Sequence, residues 1–273
     1  MRPAIIIAIV HFVGITLPSA DAQALRHTVM GTVTWQGLGI DVEAAGDVDA
    51  DGVRDVVVGA PGTYQMYFLN GQSTGHAYVI SGGNGAVIRT WSGGASDELF
   101  GAAVAAPGDV TGDGVPDICV GAPNVSTSTS PSGGAFYVFN GATGAIHTVV
   151  YGATNNYFGL RIATAADWNG DGFKDVVVDV PFGPLTPFPF GFPVAIVVSA
   201  ATGQTLLSTV VVVPNASGGL WGTGGISATR DLSGDVIPDI AIGNYFGNII
   251  WYFSGFDGSL MAAITPCAAP SSW

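Results

Sequence analysis

Short apolar stretches recur along the chain without a sustained 3.6-residue period, so the pattern predicts β-strands and few helices. One set consists of β-branched runs at residues 56–58, 118–120, 176–178 and 240–242. A second set, rich in aromatic and β-branched residues, occupies residues 76–80, 135–139, 194–198 and 249–253. A turn signal and a further strand follow, as at residues 143–144 and 145–150. Each unit of about 60 residues is therefore predicted to hold four antiparallel strands.

A nine-residue segment that begins and ends with aspartate occurs four times, at residues 47–55, 109–117, 167–175 and 231–239. The first aspartates of successive segments are 62, 58 and 64 residues apart, which indicates an array of one supersecondary unit. Four antiparallel strands per unit are typical of a β-propeller blade, so we predict an all-β propeller. A β-sandwich would not explain four similar loops in one phase. The predicted repeats are residues 37–95, 96–156, 157–219 and 220–265.

These four segments, called here the first to fourth aspartate loops, carry side-chain oxygens at positions 1, 3, 5 and 9. Position 7 can add a backbone carbonyl. Calcium is coordinated by about six to eight oxygens in a flexible arrangement, so the loops predict calcium sites. The candidate ligands are Asp47, Asp49, Asp51, Val53, Asp55, Asp109, Thr111, Asp113, Val115, Asp117, Asp167, Asn169, Asp171, Phe173, Asp175, Asp231, Ser233, Asp235, Ile237 and Asp239.

The aspartate loops hold 13 of the 20 acidic residues, and without a cation such crowded charges would repel. A simple Asp-Gly hairpin turn, the alternative, needs one aspartate rather than three or four. Glycine at position 6 allows the positive φ of a sharp turn in the first three loops. Val236 replaces this glycine in the fourth loop, where a β-branched residue is strained. We therefore expect calcium in three loops and leave the fourth open.

The flanks of the loops carry a second signature. Phe-Gly precedes the second and third loops at residues 100–101 and 158–159, and Gly-Ala-Pro follows the first and second at residues 59–61 and 121–123. This combination resembles the FG-GAP repeat family, which includes integrin α-chains and bacterial exported proteins. The resemblance implies a calcium-braced β-propeller used for adhesion or ligand binding rather than catalysis. Integrin propellers have seven blades, so four repeats leave ring closure and oligomerisation open.

Composition and the amino terminus bear on location. Hydrophobic residues make up 48% of the chain and charged residues 10%, which argues against disorder, and the net charge of −13 argues against nucleic acid. Residues 1–22 read as a signal peptide with an apolar run at 4–17, too short for a bilayer that needs about 20 residues. We therefore predict a propeller domain at residues 23–273, without a membrane span, that is secreted, periplasmic or on the cell surface.

Two cysteines, Cys119 and Cys267, are present. Cys119 lies within a predicted strand, which favours a small buried side chain over a reactive one. Sequence does not fix the distance between the two, so their pairing stays open.

The predicted loops on the propeller face opposite the aspartate loops are rich in aromatic residues. These rings either form a recognition patch for an extracellular protein or a glycan, or fold back onto the blades. An adhesion or protein-interaction module is the leading hypothesis, and a lectin-like propeller is the alternative. An enzyme is the weakest reading, because no acid–base pair stands apart from the aspartate loops. The candidate partner-binding residues are Tyr64, Tyr67, Phe68, Phe182, Phe188, Phe190 and Phe192.

Overall fold

The computed structural model describes residues 27–31, 36–62, 74–181, 194–210, 223–244 and 249–265. The predicted signal peptide, Cys267 and all seven candidate partner-binding aromatic residues lie outside these ranges. The strands are β1 (Val42–Gly46), β2 (Asp55–Ala60), β3 (His76–Ile80), β4 (Val87–Ser92), β5 (Ala103–Gly108), β6 (Asp117–Ala122), β7 (Ala135–Phe139), β8 (Ile146–Tyr151), β9 (Ile162–Thr164), β10 (Val176–Val180), β11 (Val194–Val198), β12 (Thr205–Val210), β13 (Thr223–Ala228), β14 (Ile240–Asn244), β15 (Ile249–Phe253) and β16 (Leu260–Ile264).

The strands form four antiparallel sheets, each made of four strands that are consecutive in the sequence. We call them blades 1 to 4: β1–β4, β5–β8, β9–β12 and β13–β16. The described residues contain no helix, and none of them forms a helix that could cross a membrane. The all-β prediction is therefore confirmed, and the last repeat has its own fourth strand, β16, paired with β15.

Valine runs in the second strands build the core because successive side chains point to opposite faces of a sheet. Within β2, Val57 packs toward blade 2, whereas Val56 and Val58 join a separate cluster on the other face. In blade 2, Ile118 and Val120 meet blade 1, and the intervening Cys119 faces blade 3 as a buried free thiol. Consecutive apolar residues thus supply two interfaces at once, which explains why these strands do not alternate with polar residues.

The Phe-Gly and Gly-Ala-Pro motifs join neighbouring blades. Gly101 donates its N–H to the Gly121 carbonyl within blade 2, at 2.9 Å. The carbonyl of Gly101 also lies so close to Gly59 of blade 1 that a Cβ added to Gly59 would overlap it. The preceding Phe100 is 2% exposed and packs on Tyr137 and Phe139. The motif therefore combines a buried ring with a backbone contact that glycine alone permits.

The innermost strands of the blades lie side by side, since β1 packs against β5, β5 against β9 and β9 against β13. Each aspartate loop connects the innermost strand of a blade to its second strand. The four loops therefore occupy the same place in each blade, at the end of the innermost strand.

The outer edges of blades 1 and 2 contact the hairpin between the third and fourth strands of the next blade. Trp91 Nε1 of β4 donates to the Gly144 carbonyl at 2.9 Å, and His147 Nε2 of β8 donates to the Ala201 carbonyl at 2.8 Å. His27, before blade 1, makes the corresponding contact to the Gly83 carbonyl at 3.2 Å. The amino-terminal segment 27–31 thus sits against blade 1 where the outermost strand of a preceding blade would lie.

Candidate metal-binding loops

The aspartate at position 1 organises each loop by accepting backbone N–H groups. Asp109 accepts the N–H groups of positions 4, 5 and 6 at 2.7, 3.0 and 2.7 Å. Asp167 does the same at 2.7, 3.2 and 2.8 Å. Asp47 and Asp231 each accept two such bonds. The backbone therefore curls around this carboxylate, whose oxygens keep lone pairs for a cation.

The aspartate at position 5 turns back in the same way, because it accepts the N–H of position 7 at 2.7–2.9 Å in all four loops. These bonds favour the charged form of exposed carboxylates. The N–H of Val115, followed by the Asn140 amide, lowers the pKa of Asp113. The N–H groups of Gly234 and Val236 likewise lower the pKa of Asp231. Both groups stay ionised and available to a cation at neutral pH.

The aspartates at position 9 lie at the base of the loops and are fully buried. Each accepts the N–H of position 2 at 2.6–2.7 Å. In the first, second and fourth loops, the other oxygen accepts the N–H of Gly82, Gly141 or Gly255 in the hairpin of the same blade. Burial raises the pKa of Asp55 and of Asp117, and these hydrogen bonds oppose the shift.

Asp175, at position 9 of the third loop, differs from the other three. Its Oδ1 is buried and has no hydrogen-bond partner. Burial, followed in smaller part by the charges of Asp171 and Asp167, raises the pKa of Asp175 to about 6. A buried carboxylate oxygen without a donor is costly unless a positive charge compensates it. A cation within the third loop fits this requirement.

The backbone of the loops turns left-handed at two positions. At position 6, φ is 85° at Gly52, 90° at Gly114 and 91° at Gly172, as predicted. Val236 adopts the same conformation with φ of 77°, so the strain predicted for this residue is confirmed. Position 4 also has a positive φ: it is glycine in three loops and Ala50, at 59°, in the first. Sequence reasoning missed position 4, although its repeated glycine was the available signal.

Three carboxylates converge in the first loop and in the fourth. Each set places one oxygen per residue within 4.8 Å of the other two, and no further set among the described residues does so. Convergent oxygens of this kind fit a hard divalent cation. The second and third loops have the same left-handed turns at positions 4 and 6, but their carboxylate oxygens do not form such a set. The two sets are Asp47, Asp49 and Asp55, and Asp231, Asp235 and Asp239.

Hairpin residues that the sequence did not single out reach into the loops. Ser81 and Ser254 place their hydroxyls 3.5 and 3.4 Å from the position 5 carboxylates of the first and fourth loops. The equivalent residue in blade 2 is Asn140. Its amide donates hydrogen bonds to the Asp113 carboxylate and to Thr111 Oγ1, the latter at 2.9 Å. A polar residue directly after the third strand of every repeat was the signal that could have found them.

The third repeat also departs from the motif at residue 179, where an aspartate stands in place of the glycine of Gly-Ala-Pro. Asp179 is 1% exposed, and its Oδ1 accepts the N–H of Arg161 at 2.6 Å. This buried carboxyl group belongs to the packing between β9 and β10 and lies apart from the aspartate loops.

Consecutive four-stranded blades with an acidic loop after each innermost strand define a β-propeller built from repeats with candidate metal-binding loops. A sequence model of the FG-GAP repeat matches residues 42–80, and one of the FG-GAP-like repeat matches residues 109–178. These two segments of the chain are therefore similar to FG-GAP repeats.

Similar proteins include integrin alpha-6 of Gallus gallus (32% identical over 170 residues) and integrin alpha-PS2 of Drosophila melanogaster (28% over 242). Phosphatidylinositol-glycan-specific phospholipase D of Bos taurus is 31% identical over 189 residues. These alignments cover 58%, 83% and 63% of this chain, and 15%, 16% and 22% of the relatives. The chain therefore spans less than a quarter of the length of the curated relatives it matches.

Proposed function

We propose that this chain is an exported calcium-binding β-propeller that acts as an adhesion or protein-interaction module. The observation that carries the proposal is the convergence of three carboxylates in each of two aspartate loops, in a fold shared with integrin α-chains. A phospholipase D, which is an enzyme, also matches part of this chain. We assign the chain to interaction rather than to catalysis because its sequence offers no acid–base pair apart from the aspartate loops.

Calcium suits the loops better than magnesium does. Magnesium demands near-octahedral geometry and keeps several waters, whereas calcium accepts flexible sets of carboxylate and carbonyl oxygens. The loops offer such mixed sets on a single short segment each. The role proposed for calcium is structural, because every strong ligand belongs to a loop that joins two strands of one blade.

The predicted export is consistent with this role. The predicted signal peptide would deliver the chain to a compartment with millimolar calcium, and extracellular modules bind calcium with dissociation constants of about 10⁻⁴ to 10⁻³ M. At about 1 mM calcium, each site would stabilise the fold by roughly 0.4 to 1.4 kcal/mol.

Thermal melting of the mature chain tests the proposal. Calcium at about 1 mM should raise the melting temperature by about 5 °C or more relative to excess chelator, since several sites act together. Magnesium at equal ionic strength is the matched control and should give a smaller shift. Superimposable melting curves in calcium and in chelator would exclude structural calcium.

A further inference from the structure

A cavity of about 230 Å³ lies between the innermost strands, at the end where these strands enter the aspartate loops. The end of β1 and the residues Ala106 and Gly108 of β5 form part of its wall. The other lining residues stand at position 8 of the first three loops: Arg54, Pro116 and Lys174. Blades 1, 2 and 3 therefore converge on one small opening.

The charged residues that line this cavity are both positive. Arg54 and Lys174 are the ionisable residues that line it, and both are exposed. Within the described ranges, neither side chain takes part in a hydrogen bond or a close ion pair. Burial raises the pKa of nearby Glu43, against the hydrogen bond from Thr164 at 2.9 Å and the Lys174 charge, and Glu43 lies outside the lining. Two cationic residues therefore line the opening, and none of its lining residues is acidic.

Basic residues are scarce here, at seven Lys and Arg against 20 Asp and Glu. Two of the three other basic residues in the described part serve the fold: Arg89 donates to the carbonyls of residues 141 and 142, and Arg161 donates to the Leu160 carbonyl. Arg54 and Lys174 have no comparable structural task. It is therefore unusual, in a chain with so few basic residues, that two of them line the same cavity.

We propose that this cavity binds a compact anion, a single carboxylate or sulfate-like group. The guanidinium of Arg54 can bind such a group through two N–H donors, and Lys174 adds a second charge. Gly108 has a positive φ of 99°, and a Cβ built on it would meet no atom within 4 Å, so the wall beside it is open. The site goes beyond the proposed calcium role, because none of its lining residues supplies a side-chain oxygen to the loops.

NMR titration of the calcium-loaded mature chain tests the site with two probes, sulfate and a capped aspartate, which separate inorganic anions from acidic side chains. Saturable shifts should centre on the amides of Gly46 and Gly108 for at least one probe. Arg54→Gln and Lys174→Gln should each raise its dissociation constant about tenfold. Arg230→Gln is the matched control: it removes one exposed positive charge that does not line the cavity, and should leave binding unchanged.

Three outcomes would overturn the proposal. The first is that neither probe gives saturable shifts. The second is that the shifts centre away from the cavity. The third is that Arg230→Gln weakens binding as much as Arg54→Gln, which would mean that long-range charge alone attracts the anion. Repeating the titration in chelator separates this site from the calcium role, because anion binding that persists without calcium stands even if the loops bind no cation.

Discussion

The second and fourth aspartate loops share their length and their aspartates at positions 1, 5 and 9, yet they arrange these carboxylates differently. The second loop conforms to the motif, with glycine at position 6 and Gly-Ala-Pro after it. The fourth loop lacks both and carries Val236 in a strained, left-handed conformation. Nevertheless, three carboxylate oxygens lie within 4.8 Å of one another in the fourth loop and not in the second.

The neutral hydrogen-bond donors that bind the carboxylates differ between the two loops. In the second loop, Asn140 bonds both Asp113 and Thr111, and the Thr111 hydroxyl lies 3.3 Å from Asp117 Oδ1. In the fourth loop, the Ser233 hydroxyl donates to Asp231 Oδ1 at 3.1 Å, and the hairpin residue Ser254 makes a single contact with the loop, at 3.4 Å from Asp235. Agreement with a motif therefore reports on the backbone, whereas the convergence of ligands depends on which other groups bind their oxygens.

The largest expected effect comes from the buried aspartates at position 9. Asp117→Ala and Asp239→Ala each leave three backbone N–H groups without an acceptor. Each should therefore cost about 3 kcal/mol or more in free energy of unfolding, measured by urea denaturation in chelator. Equal losses would mean that the two loops share one scaffold. A loss in one variant alone would show that the scaffolds differ as well as the ligands.

The second prediction compares the calcium affinities of the two loops. Asp235→Asn removes a convergent carboxylate and should raise the calcium dissociation constant of the fourth loop about tenfold, measured by isothermal titration calorimetry. Asp113→Asn, the matched change in the second loop, should alter calcium binding less, because Asn140 already engages this carboxylate. The comparison fails if the two substitutions weaken calcium binding equally.

Substitutions at position 6 should change the stability of the chain in opposite directions in the two loops. Val236→Gly should stabilise the chain by about 1 kcal/mol, because glycine adopts the positive φ without strain and the side chain, 88% exposed, contributes little burial. Gly114→Val should destabilise it by a similar amount. Melting in chelator measures both, and a Val236→Gly variant less stable than the parent would contradict the strain.

The smallest effect concerns the hairpin residue. Asn140→Ser should make the second loop resemble the fourth and tighten its calcium binding about threefold, because Thr111 and Asp113 lose a competing donor. Ser254→Asn is the reciprocal change and should weaken calcium binding in the fourth loop. Calorimetry of both variants would sharpen the comparison, and a change of the same sign in both would refute it.

Much of the fold could be predicted because the repeat and the strand period agree. The predicted third strands at residues 76–80, 135–139, 194–198 and 249–253 coincide with β3, β7, β11 and β15. Each loop carries its candidate ligands on one short segment, so local sequence sufficed to propose them. Their ion remains a prediction that the melting experiment addresses.

The sequence did not reveal features that depend on contacts between distant residues. Asn140 reaches the second loop from the hairpin of its blade. Asp175 Oδ1 is buried without a hydrogen-bond partner because of surrounding residues that no local motif specifies. Ala50 adopts a left-handed conformation because the curled loop imposes it, although alanine has no preference for it.

The contact of His27 with the Gly83 carbonyl places the amino-terminal segment against the hairpin of blade 1. Val29 adds to it by packing beside Val56 and Val58 on the outward side of the first sheet. A segment of the chain's own amino-terminal part therefore takes, against blade 1, the role that the outermost strands β4 and β8 take against blades 2 and 3.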